Sequence, residues 1–132
     1  MKTRITPQGF TKTVGAYSQG LKIDLGGKFM VLVSGQLAMD ADGTPIAPDD
    51  ISAQTRYIFE NIKKILHEAG AKLDDVVKAQ IFLTDMDQFP KVSAVRNEYF
   101  ADIKPVSTLV EISRTVREGC HIEIEVMAIA ES

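Results

Sequence analysis

Apolar residues fall into two periodicities along this chain, and the switches between them lay out its elements. From Tyr17 the pattern alternates, with Tyr17, Gln19, Leu21 and Ile23 on one face and Ser18, Gly20, Lys22 and Asp24 on the other, which predicts a strand. Gly26-Gly27 turns it into a second strand over residues 29–37. Asp42-Gly43 signals a tight turn, and Pro45 and Pro48 keep the next stretch extended, as a short strand. Past Asp49 and Asp50, either of which suits a cap, Ile51, Ile58, Ile62, Ile65, Leu66 and Ala69 recur at helical spacing, and Gly70 supplies the stop. Residues 76–84 predict a strand. Residues 87–100 predict a second helix, with Pro90 in its first turn and Phe89, Val92, Val95, Tyr99 and Phe100 facing inward. Pro105 bars further helix, and residues 107–112 and 121–130 read as two closing strands joined by a polar loop.

The order β-β-(short β)-α-β-α-β-β describes an α+β fold in which two helices cover one face of a mixed sheet of about six strands. Phe29 through Val33, and Val76-Val77 with Ile81-Phe82-Leu83, nonetheless present apolar side chains to both faces. One chain of this length has nothing else to cover the second face, so another subunit is expected there.

Composition narrows the classes. The 132 residues, at 14.5 kDa, fit one domain spanning 1–132. Scaling laws leave roughly 7,000 Å² exposed of roughly 21,000 Å² in the unfolded chain, enough burial for a core without staples. An apolar fraction of 45% with 25% charged residues excludes a disordered tail. Cys120 is the lone cysteine, so no intrachain disulfide forms and a reducing compartment is expected. Phe29 to Val33 and Val126 to Ala130 are the longest apolar runs, far short of the roughly 18 residues a membrane helix needs. Lys2 and Arg4 imitate the start of a secretion signal, but Thr6, Pro7, Gln8 and Thr11 prevent an apolar stretch from following, which points to the cytoplasm. With 18 acidic against 15 basic residues the net charge is −3, which speaks against nucleic acid as a partner.

Most motif chemistry is absent. There is no Gly-rich phosphate loop, no Cys-x-x-Cys and no His pair at ligand spacing, so no metal site is expected. His67 sits near a helix C-terminus, where a cation suits the dipole. Asp40-Ala41-Asp42-Gly43 has a partial likeness to a calcium loop, but Ala38 would hold its first ligand position and no helix flanks it, so it reads as a turn. Ser18 within Ala16-Tyr17-Ser18-Gln19-Gly20 opens a strand, whereas a nucleophile elbow needs strand, turn and helix in that order. In the last strand, alternation sets Ile122, Ile124, Val126, Ala128 and Ala130 opposite His121, Glu123 and Glu125. Two carboxylates about 7 Å apart thus share a face. On a solvated sheet they are surface charges. If a subunit buries them, one could sit in a cleft with a raised pKa and position a water or shuttle a proton.

Gly15-Ala16-Tyr17-Ser18-Gln19-Gly20, Val33-Ser34-Gly35-Gln36, Gln54-Thr55-Arg56 through Asn61-Ile62 and Ala69-Gly70, Pro105 with Val110-Glu111-Ile112, and Ile122-Glu123-Ile124-Glu125 occur in that order. Together they resemble the Rid family of reactive intermediate deaminases, also called YjgF, over nearly the whole chain. The resemblance implies a chorismate-mutase-like fold, a homotrimer, and clefts between subunits that take a small metabolite. Deaminating members hydrolyse 2-imino or enamine acids to 2-oxo acids and ammonia without a cofactor. Carried over by motif, Tyr17 would line the cleft and take part in catalysis, Gly35 would let backbone approach the ligand, and Glu123 would orient the water. Ser93, Ser107 and Thr108 would complete the binding residues.

One departure from the family bears on activity. Deaminating members resemble Pro-x-Arg where this chain reads Pro105-Val106-Ser107, so the fork for a substrate carboxylate is missing. A serine hydroxyl offers one neutral hydrogen bond in its place, a loss of about 2 kcal/mol or more. Ser93 stands where the family commonly has Asn, and Arg96 where it commonly has Tyr. Arg96 would either re-supply the cation or pack its stem on the core with its head in water, the ordinary behaviour of such a residue. The expectation is a metabolite-binding member, weak or inactive on ordinary 2-imino acids. The rivals are an active hydrolase for a different substrate and, more weakly, the ribonuclease activity attributed to some members.

Overall fold

The computed structural model describes residues 1–13 and 15–132. Six strands form one mixed sheet: β1 (Lys2–Ile5), β2 (Gly20–Asp24), β3 (Lys28–Leu37), β4 (Val76–Leu83), β5 (Val106–Glu111) and β6 (Ile122–Glu131), in spatial order β1-β2-β3-β6-β4-β5. Every pairing is antiparallel except β4 with β5, which follow the crossover through the second helix. The two helices are α1 (Ile51–Glu68) and α2 (Phe89–Phe100).

Each helix begins and ends where its side chains allow. Asp50, rather than Asp49, caps α1 by accepting a hydrogen bond from the Ala53 N–H at 3.1 Å. At the other end Gly70, at φ 89°, reverses the chain, so that the Ala71 N–H reaches the Leu66 carbonyl and the Gly70 N–H the His67 carbonyl. His67 is in the last turn of α1. Ahead of α2 a 3-10 turn over Met86–Gln88 absorbs the predicted first residues of the helix, and the Asp85 carboxylate accepts from the Asp87 N–H.

All the predicted apolar positions of α1 are buried, and Ile58, Ile62, Ile65 and Leu66 share one buried cluster with Val31, Ala79, Ile81, Ile122 and Ile124 of the sheet. Each fully buried Ile or Leu is worth roughly 1.5–3 kcal/mol. On α2, Val92, Val95 and Phe100 are buried and Tyr99 stacks on Phe59 at 4.7 Å. Phe89 departs from the expectation. As the first helical residue it projects past the core, with the Arg96 guanidinium 5.9 Å above its ring.

Three strand expectations are corrected. β1 exists, antiparallel to β2. The strand expected from Tyr17 starts at Gly20, and the short strand after β3 is a single bridge between Met39 and Pro45. On the sheet face away from the helices, register sets Leu21, Leu32 and Met127 in one row and Ile23, Met30 and Ile129 in another. All six are half-buried in a single chain.

Candidate functional site

The site grows from a fault in the β3–β6 ladder. The register slips between Val33 and Gln36, and β2 stops pairing at Gly20 opposite Val33, so the C-terminal part of β3 loses its strand neighbour. The segment before β2 takes that place. Ser34 donates its N–H to the Gln19 carbonyl at 2.9 Å and its hydroxyl to the Ser18 carbonyl at 2.6 Å. Gln19, expected beside Tyr17 on a strand face, turns inward instead and is buried with Gln36. Gln36 Nε2 donates to Gln19 Oε1 at 2.9 Å, Gln19 Nε2 donates to the Thr11 carbonyl, and Thr11 Oγ1 donates to the Asp40 carbonyl. A buried network with every member paired is stiff, so it fixes the stretch that carries Tyr17.

At the slip lies Gly35. A Cβ built there would stand 2.9 Å from Glu123 Cγ and 2.7 Å from its Cδ, so the carboxyl of Glu123 rests directly over the glycine backbone. A side chain at 35 would displace it. Glu123 is half-buried, and burial, with the charge of Glu125 on the same face adding to it, pushes its carboxyl above the usual carboxylate range. Tyr17 folds its ring back toward Gly15 and stays about half exposed. Tyr17, Gly35 and Glu123 line one cleft of about 650 Å³. A hollow of about 690 Å³ on the open sheet face borders it through Tyr17 and Ser34, with Leu21, Leu32 and Met127 among its lining.

Ser93, Ser107 and Thr108 lie outside that cleft. β5 is the edge strand beyond β4, and Ser107 and Thr108 pair in register with Ala79 and Gln80, with both side chains exposed. The Ser93 hydroxyl accepts from Arg96 Nη2 at 3.0 Å, and Arg96 does not reach the cleft. Within one chain the six expected residues are therefore divided: Tyr17, Gly35 and Glu123 line the cleft, Ser107 and Thr108 lie on the β5 edge, and Ser93 is on α2. Ser18 spends its carbonyl on Ser34 and stands outside the cleft. The Asp40–Gly43 segment is a turn in which Asp40 Oδ1 accepts from the Asp42 and Thr44 N–H groups at 2.9 Å each. Among the described residues no group of three or more His, Cys, Asp or Glu is placed to hold a metal ion. No helix is long and apolar enough to cross a membrane.

Several cleft residues were not expected. Tyr57, Asn61 and Lys64 enter from α1, Lys12 from the segment before β2, and Arg117 from the loop after β5. The spacing of 57, 61 and 64, at i, i+4 and i+7, put them on one helix stripe from the outset. That stripe is polar and lies beside the apolar one, so hydrophobic periodicity does not mark it.

The chain matches the family described as endoribonuclease L-PSP over residues 9–130. A RutC family protein of Pyrococcus abyssi is 42% identical, with 91% of each chain covered. The 2-iminobutanoate/2-iminopropanoate deaminase of Salmonella typhimurium is 35% identical over 98% of both chains. Among solved structures, a putative endoribonuclease from Thermotoga maritima superposes with a TM-score of 0.87 at 34% identity, each chain covered completely. The YjgF gene product of E. coli superposes with a TM-score of 0.81 at 32% identity, covering 96% of this chain and 98% of that one.

Proposed function

The chain belongs to the endoribonuclease L-PSP family, that of the YjgF and Rid proteins, and from that premise we propose a homotrimer whose clefts between subunits bind a small metabolite. Its hydrolysis of ordinary 2-imino acids is weak or absent.

The observation that carries this reading is the lie of Glu123 across Gly35 in a cleft bordered by Tyr17. In imine hydrolysis water adds to the C=N carbon, the nitrogen takes up protons and leaves as ammonia, and a carbonyl remains. A carboxyl beside bare backbone can hold that water against a flat C=N group and pass its proton on. Burial raises the proton affinity of Glu123 in the direction such a shuttle needs. No step requires a metal or cofactor.

Ser93, Ser107 and Thr108 then come to the cleft from the neighbouring subunit. A head-to-tail contact that sets the β5 edge of one chain against the Tyr17–Glu123 side of the next closes into a ring, and the apolar rows of the open face lie inside it. Ser107 leaves an entering 2-imino acid without a charged partner for its carboxylate, which loses its hydration on entry. Poor binding also leaves the imine carbon badly oriented toward the water. The lone, buried Cys120 fits a reducing cytoplasm. The endoribonuclease name of the family suggests a ribonuclease, but a net charge of −3 gives that reading no support.

The test is deamination coupled to a pyridoxal-phosphate lyase that releases 2-aminoacrylate. Native protein should barely exceed the uncatalysed rate, and Ser107→Arg should raise it by tenfold or more. A native rate matching that of the Salmonella deaminase would overturn the reading of Ser107.

A further inference from the structure

Resting on the reading that this cleft takes a small metabolite, a second feature bears on which kind. Lys12, Lys64 and Arg117 come from three separate segments of the chain and line the same cleft as Glu123. Among the described residues, none of the three makes an ion pair. Lys63, one position away on α1, stands outside the cleft and meets Glu60 at 3.6 Å. Arg117 lies against the turn before Pro45, its Nη2 3.2 Å from where a Cβ on Gly43 would stand. Glu123 is the sole carboxylate among the described lining residues. In a chain of net charge −3 this cleft is locally cationic.

Its size and walls add to this. In one chain, before the neighbouring subunit's edge closes on it, the cleft of about 650 Å³ is far larger than a three- or four-carbon 2-imino acid. Phe10, Met39 and Tyr57 supply apolar wall beside the cations. A molecule that uses the whole cleft therefore has an unsaturated end at Glu123, an apolar body, and an anionic end at the cations. Arg117 can grip a carboxylate with two parallel hydrogen bonds, and Lys64 adds a point charge.

We propose that the cleft selects carbonyl or imine compounds whose carboxylate is remote from the C=O or C=N carbon, held by Lys64 and Arg117 with Lys12 at the rim. This replaces recognition of a carboxylate adjacent to that carbon, for which position 107 offers only a serine. The carboxylate enters deprotonated and stays so, and no covalent step is involved in its capture.

Two isomeric probes of equal charge separate the alternatives: 5-oxopentanoate, with its carboxylate remote from the carbonyl, and 2-oxopentanoate, with the two adjacent. Affinities come from titration calorimetry, and the backbone amide signals of Tyr17 and Gly35 report the site by NMR. The native protein should bind 5-oxopentanoate at least tenfold more tightly and shift both signals. Lys64→Met with Arg117→Met should remove at least tenfold of that affinity and leave 2-oxopentanoate within twofold. Both residues are exposed, and circular dichroism checks that the variant folds. Equal affinities for the isomers, or a variant that binds as the native does, overturn the carboxylate anchor while the signals at Tyr17 and Gly35 still move. If neither probe moves those signals, the metabolite cleft itself is wrong and the anchor falls with it.

Discussion

Glu123 stands where three requirements meet: strand alternation turns it away from the core, the slip in β3 brings Gly35 beneath it, and partial burial favours its neutral form. Only the first is written in local sequence. The alternation of Ile122 to Ala130 placed Glu123 on the open face, and the family resemblance gave it a role. The contact with Gly35 depends on a register shift that no pattern of period two encodes. Gln19 misled for a related reason. Its alternation with Tyr17 is genuine, but a buried amide partner on Gln36 outweighs exposure on a strand face. The raised pKa of Glu123 has a consequence for stability. Between its ordinary unfolded value and its higher folded one, the folded chain holds more protons than the unfolded chain, so this residue's contribution is full below the ordinary value and is lost as pH rises. Glu123→Gln should therefore raise the melting temperature at neutral pH and leave it nearly unchanged at the acid end. Thermal unfolding of both proteins across that range reads the difference, and a neutral-pH melting temperature lowered by the substitution would contradict it.

At the scale of elements, both helices and the strands from Lys28 onward were legible, because each joins an apolar pattern to local start or stop signals such as Asp50, Gly70 and Pro105. β1 was not. Its residues are exposed except Ile5, and an edge strand with one buried residue leaves no period to read. The stretch after β3 carries Pro45 and Pro48, which donate no ladder hydrogen bond, and it keeps a single bridge. Those loops are held instead by Gln54 of α1, which is fully buried. Its Nε2 donates to the Ile46 carbonyl at 3.0 Å and the Gly119 carbonyl at 2.7 Å, and its Oε1 accepts from the His121 N–H at 3.0 Å. Gln54→Leu keeps the volume and strands three backbone groups. It should cost about 3 kcal/mol. Urea unfolding checks this, and a loss within about 0.5 kcal/mol, what an ordinary surface change costs, would show that the loops do not depend on it.

On the scale of the whole molecule, a chain of this mass is expected to expose roughly 7,000 Å², and this one exposes 7616 Å². Its apolar rows on the open sheet face, half-buried in a single chain, are the surface that a neighbouring subunit would cover. The two-sided character of β3 and β4 was visible in the sequence, and so were the residue types of the site. Their division was not: Tyr17, Gly35 and Glu123 line one cleft while Ser93, Ser107 and Thr108 sit apart from it, a separation that appears only once the strand order is known. The central claim is that the two groups meet between subunits, and subunit mixing tests it directly. Ser107→Arg alone should deaminate 2-iminopropanoate. The same change combined with Glu123→Gln should be inactive, and the native chain nearly so. When the double variant and the native chain are unfolded together and refolded into particles of three chain masses by light scattering, activity should appear. In those particles the arginine introduced at position 107 of one chain faces the native Glu123 of the next. Mixed particles that stay inactive while Ser107→Arg alone is active, or a preparation that remains at a single 14.5 kDa chain, would contradict the account.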